Sequence, residues 1–269
     1  MRVTELQNWP SSLPQRHCHT SAQPWLHHHS RVRGCRRRYG RVCATAEPAQ
    51  KAKQLLVYAP NHPLLRHWLA VARSKMSPPP IFRAACAELG RLLVYEAAYD
   101  WLPVLESQVE TPCGVADATV VDGSRPVKVI PILRAGLIML EQAATMLPAS
   151  QTFHVGYERN EETLQASSYL NKLPAKFAED DRILIADPML ATGGTMLQLL
   201  ADLVGRGASP TYIKIVCIVC APPALQVLNR DFPGVRVYTA MIDSELNEKG
   251  YIVPGLGDAG DRAFGTEKL

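Results

Sequence analysis

Acidic residues are nearly missing from the first 46 positions, which hold eight arginines, no lysine and one acid, Glu5. Nowhere does an apolar run reach 18 residues, so no membrane-spanning helix is expected. No G-x-x-x-x-G-K-[ST] occurs, which excludes an ATP-type P-loop, and no G-x-G-x-x-G occurs, which argues against a dinucleotide site. The seven cysteines are scattered and do not make a disulfide framework. Cys18, Cys35 and Cys43 lie in the basic segment, and Cys86 and Cys113 stand alone. Cys217 and Cys220 match C-x-x-C inside an apolar run, but positions i and i+3 of a strand point to opposite faces, so they are expected to be two separate core thiols. His27, His28 and His29 are adjacent, and three neighbours in sequence cannot by themselves close a structural metal site.

What is present is enough for one domain with a core: 269 residues, 47% of them hydrophobic. The net charge of +4 misleads about partners, because the positive excess belongs to the N-terminal segment and the rest carries slightly more acids than bases. Such a body speaks against nucleic-acid binding, and no membrane partner is expected. Residues 1–46 read as a disordered targeting peptide, Arg-rich and acid-poor, with Val42-Cys43-Ala44 as a small-residue processing site of plastid type. The expected destination is the chloroplast, with mitochondrion or cytosol as alternatives. Residues 53–269 form the expected single domain.

Periodicity predicts helices over 61–74 and 81–101, extended hairpin structure over 103–121, and then alternation. Strands are expected at 127–133, 152–157, 183–187, 213–220 and 235–241, and helices at 135–146, 195–204 and 223–231. Near-continuous apolar strands alternating with helices imply an α/β fold, a mainly parallel sheet covered on both faces, with ligands at the carboxyl ends of its strands.

The most telling stretch is Asp187-Pro188-Met189-Leu190-Ala191-Thr192-Gly193-Gly194-Thr195, which follows the apolar run Ile183-Leu184-Ile185-Ala186. A strand ends in an acid, turns through Thr-Gly-Gly-Thr and enters an apolar helix. Backbone N–H groups at a helix N-terminus hold an anion, and two glycines let it come close. A neighbouring carboxylate can hold sugar hydroxyls, so the turn suits a phosphorylated ribose. Arg134 follows the strand 127–133 and should emerge at the same edge, where its planar fork matches phosphate oxygens.

With Pro188 where the wider family has a second acid, the stretch resembles the uracil phosphoribosyltransferases, a subfamily of the type I phosphoribosyltransferases. Four more segments carry the resemblance in the family's order: Leu92–Ala97, Val129–Gly136, Arg159–Thr163 and Asn247–Arg262. Together they cover about residues 55–269. The resemblance implies the type I fold, with a small hood or hairpin region, and a reaction joining uracil to the ribose of phosphoribosyl diphosphate, giving UMP and diphosphate in pyrimidine salvage. It implies that Arg134, Arg159, Asp187, Pro188, Met189, Leu190, Ala191, Thr192, Gly193, Gly194, Thr195 and Asp258 bind phosphoribosyl diphosphate. Uracil is expected among Ile252, Gly257, Asp258 and Ala259, read mainly by backbone groups. Asp187, Arg134 and Asp258 are the expected catalytic residues, Asp258 as a candidate base toward N1–H. Mg²⁺ is expected to arrive with the diphosphate rather than on a dedicated protein cluster. The resemblance further implies a homo-oligomer, dimer or tetramer, with GTP as an effector. The alternative from another class is a catalytically silent or RNA-binding regulatory homologue.

Overall fold

The computed structural model describes residues 54–159 and 166–266. The basic segment with its cysteines, histidines and processing site lies outside them, as do Asn160–Thr163. In chain order the elements are β1 (Leu56–Tyr58), α1 (Pro63–Arg73), α2 (Pro79–Ala98), β2 (Val104–Thr111), β3 (Gly114–Val121), β4 (Val127–Leu133), α3 (Gly136–Leu140), β5 (Ser150–Thr152), β6 (Val155–Arg159), β7 (Ala166–Asn171), β8 (Ile183–Ala186), β9 (Met189–Leu190), α4 (Gly194–Gly205), β10 (Ile213–Cys220), α5 (Pro222–Asp231), β11 (Arg236–Ile242), β12 (Glu245–Leu246), β13 (Ile252–Val253) and α6 (Ala259–Phe264).

The central sheet runs β1-β11-β10-β8-β4-β6-β7, with β5 beside the start of β4 and β9 beside the end of β10. Every pairing in it is parallel except β6 with β7. The central strands bury both faces, which is why β8 and β10 read as unbroken apolar runs. One face packs on α1, α2, α3 and α6 through residues such as Phe82, Leu89, Leu93, Ile138, Leu184, Val216 and Ile218. The other packs on α4 and α5 through Ile130, Ile183, Ile185, Ile213, Ile215, Leu199, Leu203 and Leu228. This is the expected doubly covered α/β architecture.

Several local expectations change. The helix predicted over 135–146 is a short α3 followed by a 3₁₀ turn at Ala143–Met146, and the strand predicted over 152–157 is split between β5 and β6. α2 begins at Pro79, two residues before the predicted start. Pro79 and Pro80 occupy its first turn, where the absent N–H groups would have no intrahelical partner. β6 runs past the predicted strand end at 157 to Arg159 and pairs with β7, an antiparallel strand the sequence pattern did not announce.

Cys217 and Cys220 correct a geometric expectation. Both are fully buried, as core thiols should be, but they lie on the same face, in the core beneath α4 and α5. Ile218 and Val219 both donate to the Pro188 carbonyl and both pack on the opposite core. At that point the alternation of side chains skips a step, so the two thiols share one side of β10.

Candidate active site

The phosphate turn has the predicted form. β8 ends at Ala186, Asp187 donates its N–H to the Val216 carbonyl at 3.1 Å, and α4 begins at Gly194. Gly193 caps α4 with φ +85°, in the left-handed region that glycine adopts without penalty. A β-carbon there would also come within 2.9 Å of Val227 on α5, so the turn is packed against its neighbour as well as tightly wound. No side chain caps α4 and its first turn holds no acid, which leaves its N–H groups facing the turn. An anion held there is favoured by those donors and by the helix dipole. Thr192 and Thr195 add hydroxyls on either side of the two glycines.

Asp187 keeps part of its surface open, yet the protein around its carboxyl is dense enough that burial pushes its pKa up to about 7. The 3.5 Å contact from the Met189 N–H works weakly in the other direction. A carboxyl so poised gains most from ribose hydroxyls that donate to it and from positive charge developing at the ribose C1.

Arg134 stands after β4, at the carboxyl edge of the sheet next to Asp187. The turn it begins is pressed against the end of β8: a β-carbon on Gly136 would meet the Ala186 carbonyl oxygen at 2.3 Å. Its half-exposed guanidinium donates to Asp261 Oδ1 at 3.0 Å and lies 5.8 Å from the Phe264 ring centre. The expected diphosphate contact and the expected base loop are thereby brought together by a salt bridge between β4's end and α6.

Asp258 is the N-cap of α6, accepting the Asp261 N–H at 2.9 Å. Ile252 opens β13, Gly255 and Gly257 take φ of +57° and +73°, and Ala259 starts α6. Ile252, Leu256 and Ala259 are buried in the same core against which Ala135, Met189 and Ala191 pack, so the base loop and the phosphate turn share one support. Arg159 is at the end of β6, outermost on the β6–β7 hairpin before the undescribed segment. A cavity of about 500 Å³ lies beside the base loop, lined by Arg73, Lys75, Gly255, Leu256, Gly257 and Arg262 among others, but by no residue of the phosphate turn.

Sequence reading passed over Arg73 and Asp243, and it named no role for Arg262. Asp243 did carry a signal, since it directly follows the apolar strand β11 as Asp187 follows β8.

A model of the uracil phosphoribosyltransferase family matches residues 59–266. A Nostoc protein named uracil phosphoribosyltransferase is 57% identical over 213 residues, covering 79% of this chain and 99% of its own length. An Arabidopsis thaliana protein named uracil phosphoribosyltransferase, chloroplastic, is 49% identical over 227 residues, 84% of this chain and 77% of its own. Among solved structures, a protein from Aquifex aeolicus superposes with a TM-score of 0.71 at 36% identity, covering 78% of this chain and 98% of that one. With its α/β architecture, its phosphate turn and a family match across nearly the whole described body, the chain belongs to the uracil phosphoribosyltransferase family.

Proposed function

We propose that this chain transfers the 5-phosphoribosyl group from phosphoribosyl diphosphate to N1 of uracil, releasing diphosphate and forming UMP. The family match over residues 59–266 carries this reading. The chemistry needs three things held at once. The Thr192–Thr195 turn holds the 5-phosphate, Asp187 takes the ribose 2- and 3-hydroxyls, and Arg134, with Arg159, balances the leaving diphosphate. The residues Pro188 to Ala191 shape the turn's backbone, Met189 and Ala191 by packing on the core that carries the base loop. Asp258, Gly257, Ala259 and Ile252 present the base, and Asp258 takes the N1 proton in this reading. Most of the rate comes from positioning and from electrostatic relief of the developing charges. Mg²⁺ enters with phosphoribosyl diphosphate, neutralising it, and hard carboxylate oxygens such as those of Asp258 suit its bound water.

The test is UMP formation from uracil and phosphoribosyl diphosphate with and without Mg²⁺, with cytosine and orotate as controls. Magnesium-dependent UMP, lost in Asp187→Asn, is the expected result. Binding of the substrates without turnover would overturn it.

Homo-oligomer formation belongs to the same proposal and has its own support. Among the described residues β2 and β3 pair only with each other. One face of this hairpin carries Leu105, Val109, Ala116, Ala118 and Val120 around a single Ser107, and the other carries Glu106, Gln108, Glu110, Asp117 and Thr119 between Val104 and Val115. Leu105, Val109 and Val120 are 50%, 43% and 42% exposed, so a patterned apolar face lies open on a two-stranded sheet, which is marginal alone in water. A second copy of the chain is its occupant in this reading. Family resemblance alone supports GTP as effector. Residues 1–46 act as a plastid targeting segment, supported by their composition and by the chloroplastic name of the Arabidopsis relative.

A further inference from the structure

The base loop is fastened from behind by charged groups that the reaction itself does not use. Asp243 is 5% exposed and follows β11 at the carboxyl edge of the sheet. Its Oδ2 accepts the Gly255 N–H at 3.0 Å, and its Oδ1 accepts Arg73 Nη2 at 2.6 Å from the end of α1. Its own N–H donates to the Cys220 carbonyl at 2.8 Å, which fixes it to β10. Beside it, Arg262 donates to the carbonyls of Leu256 at 2.6 Å, Ala72 at 2.7 Å and Ser74 at 2.7 Å, with its guanidinium 4.2 Å from the Phe82 ring centre. The Gly255 N–H and the Leu256 carbonyl are therefore consumed by the support. Reading of a base falls to the groups that follow, at Gly257, Asp258 and Ala259.

We propose that Asp243, anchored by Arg73, is a positioning residue that sets affinity for uracil by holding the backbone of the base loop in register. Uracil is flat and nearly neutral, so its recognition rests on a few hydrogen bonds to main-chain groups. Such groups read a base only when fixed to within about half an ångström. Gly255 cannot supply that rigidity, since its φ of +57° is one it adopts but does not enforce. A charge-assisted hydrogen bond from its N–H to a buried carboxylate does supply it. Phosphoribosyl diphosphate, gripped by the Thr192 turn and Arg134, depends on this tie far less.

This rests on the reading of residues 252–259 as the uracil site, and the experiment separates the two. KM for uracil and KM for phosphoribosyl diphosphate are measured separately for the full chain and for Asp243→Asn, Arg73→Met, Arg73→Lys and the double variant Asp243→Asn/Arg73→Met. Asn keeps the shape but turns an N–H₂ toward one of the two donors. Expected for Asp243→Asn is a uracil KM raised roughly 10- to 100-fold, with the phosphoribosyl diphosphate KM within about twofold. Arg73→Met should move uracil KM the same way by less, Arg73→Lys should largely restore it, and the double variant should be no worse than Asp243→Asn alone. Should Asp243→Asn fail to fold, the Arg73 pair carries the test, because that side chain is partly exposed and its replacement leaves the strand end intact. An unchanged uracil KM, equal rises in both KM values, or strictly additive effects would overturn the proposal. Gly257→Ala is run alongside: if it too leaves uracil KM unmoved, the loop is not the base site, and the fault lies with that assignment rather than with the tie.

Discussion

Asp187 has a carboxyl that burial lifts from an ordinary 3.8 to about 7, at the end of a strand buried on both faces. The sign of the consequence is fixed. The folded protein keeps a proton that the unfolded chain releases from about pH 4 upward, so stability falls as pH rises between the two values and stays lowered above pH 7. The limit of this penalty is on the order of 4 kcal/mol, and local relaxation reduces it. Asp187→Asn, isosteric and neutral, is expected to unfold at higher urea than the parent at pH 8, by roughly 1–3 kcal/mol, with the gain shrinking toward pH 5. The same variant should make no UMP. Equal urea midpoints at both pH values would mean that the carboxyl is better solvated than its surroundings imply. Gly193 gives the complementary case. Gly193→Ala puts a side chain at φ +85° and within 2.9 Å of Val227, so a loss of about 1–3 kcal/mol is expected, with a raised KM for phosphoribosyl diphosphate and a uracil KM changed less. Differential scanning calorimetry and steady-state kinetics check the two halves.

Between elements, α2 is tied to the sheet by Lys214, which is fully buried at the start of β10. Its ammonium donates to the Ala97 carbonyl at 2.8 Å and to Asp100 Oδ1 at 2.9 Å, and lies 5.2 and 5.1 Å from the ring centres of Trp101 and Tyr238. The pair is lopsided. Burial pushes the Lys214 pKa down; at Asp100 burial is also the largest cause and pushes upward, but Lys214 and Arg236 together outweigh it and hold the carboxyl below its usual range. Since Lys214 is fully buried and Asp100 about half exposed, more of the desolvation cost sits on the lysine. Removing Asp100 leaves a buried charge with one carbonyl and two ring faces; removing Lys214 leaves a carboxylate that still has Arg236 at 3.2 Å and water. Asp100→Ala should thus destabilise more than Lys214→Met, by about 1–2 kcal/mol in chemical denaturation. The reverse order would show that the lysine's aromatic contacts outweigh its desolvation.

Across the whole molecule, the amphipathic β2–β3 hairpin and the basic N-terminal segment are the two features that the body's own core does not explain. Leu105→Asp combined with Val120→Asp places charges on the apolar face of the hairpin, far in sequence from the phosphate turn. Light scattering is expected to show a shift to a smaller species, and an unchanged mass would remove the hairpin as the contact. A chain beginning at Ala44 should keep full UMP formation, because the family match begins at residue 59. Loss of activity on that truncation would give the basic segment a role in the reaction.

The phosphate turn was legible in the linear chain because all its parts are local: an apolar strand, an acid, two glycines and a helix within 14 residues from Arg182 to Thr195. Strand–helix alternation likewise determined the doubly covered sheet, since burial on both faces leaves an unbroken apolar run that composition reveals. Boundaries were less legible where tertiary contacts cut an element short, as at α3, or where backbone pairing extended one, as at β6 and β7. The tertiary structure alone decided that Cys217 and Cys220 share a face, because the side-chain alternation of β10 is broken by its hydrogen bonds to Pro188. It alone placed Arg134 on Asp261, 127 residues away, and Asp243 on both Arg73 and Gly255. Local chemistry is written in neighbouring residues, whereas the orientation of a loop depends on which distant charges the fold brings beneath it.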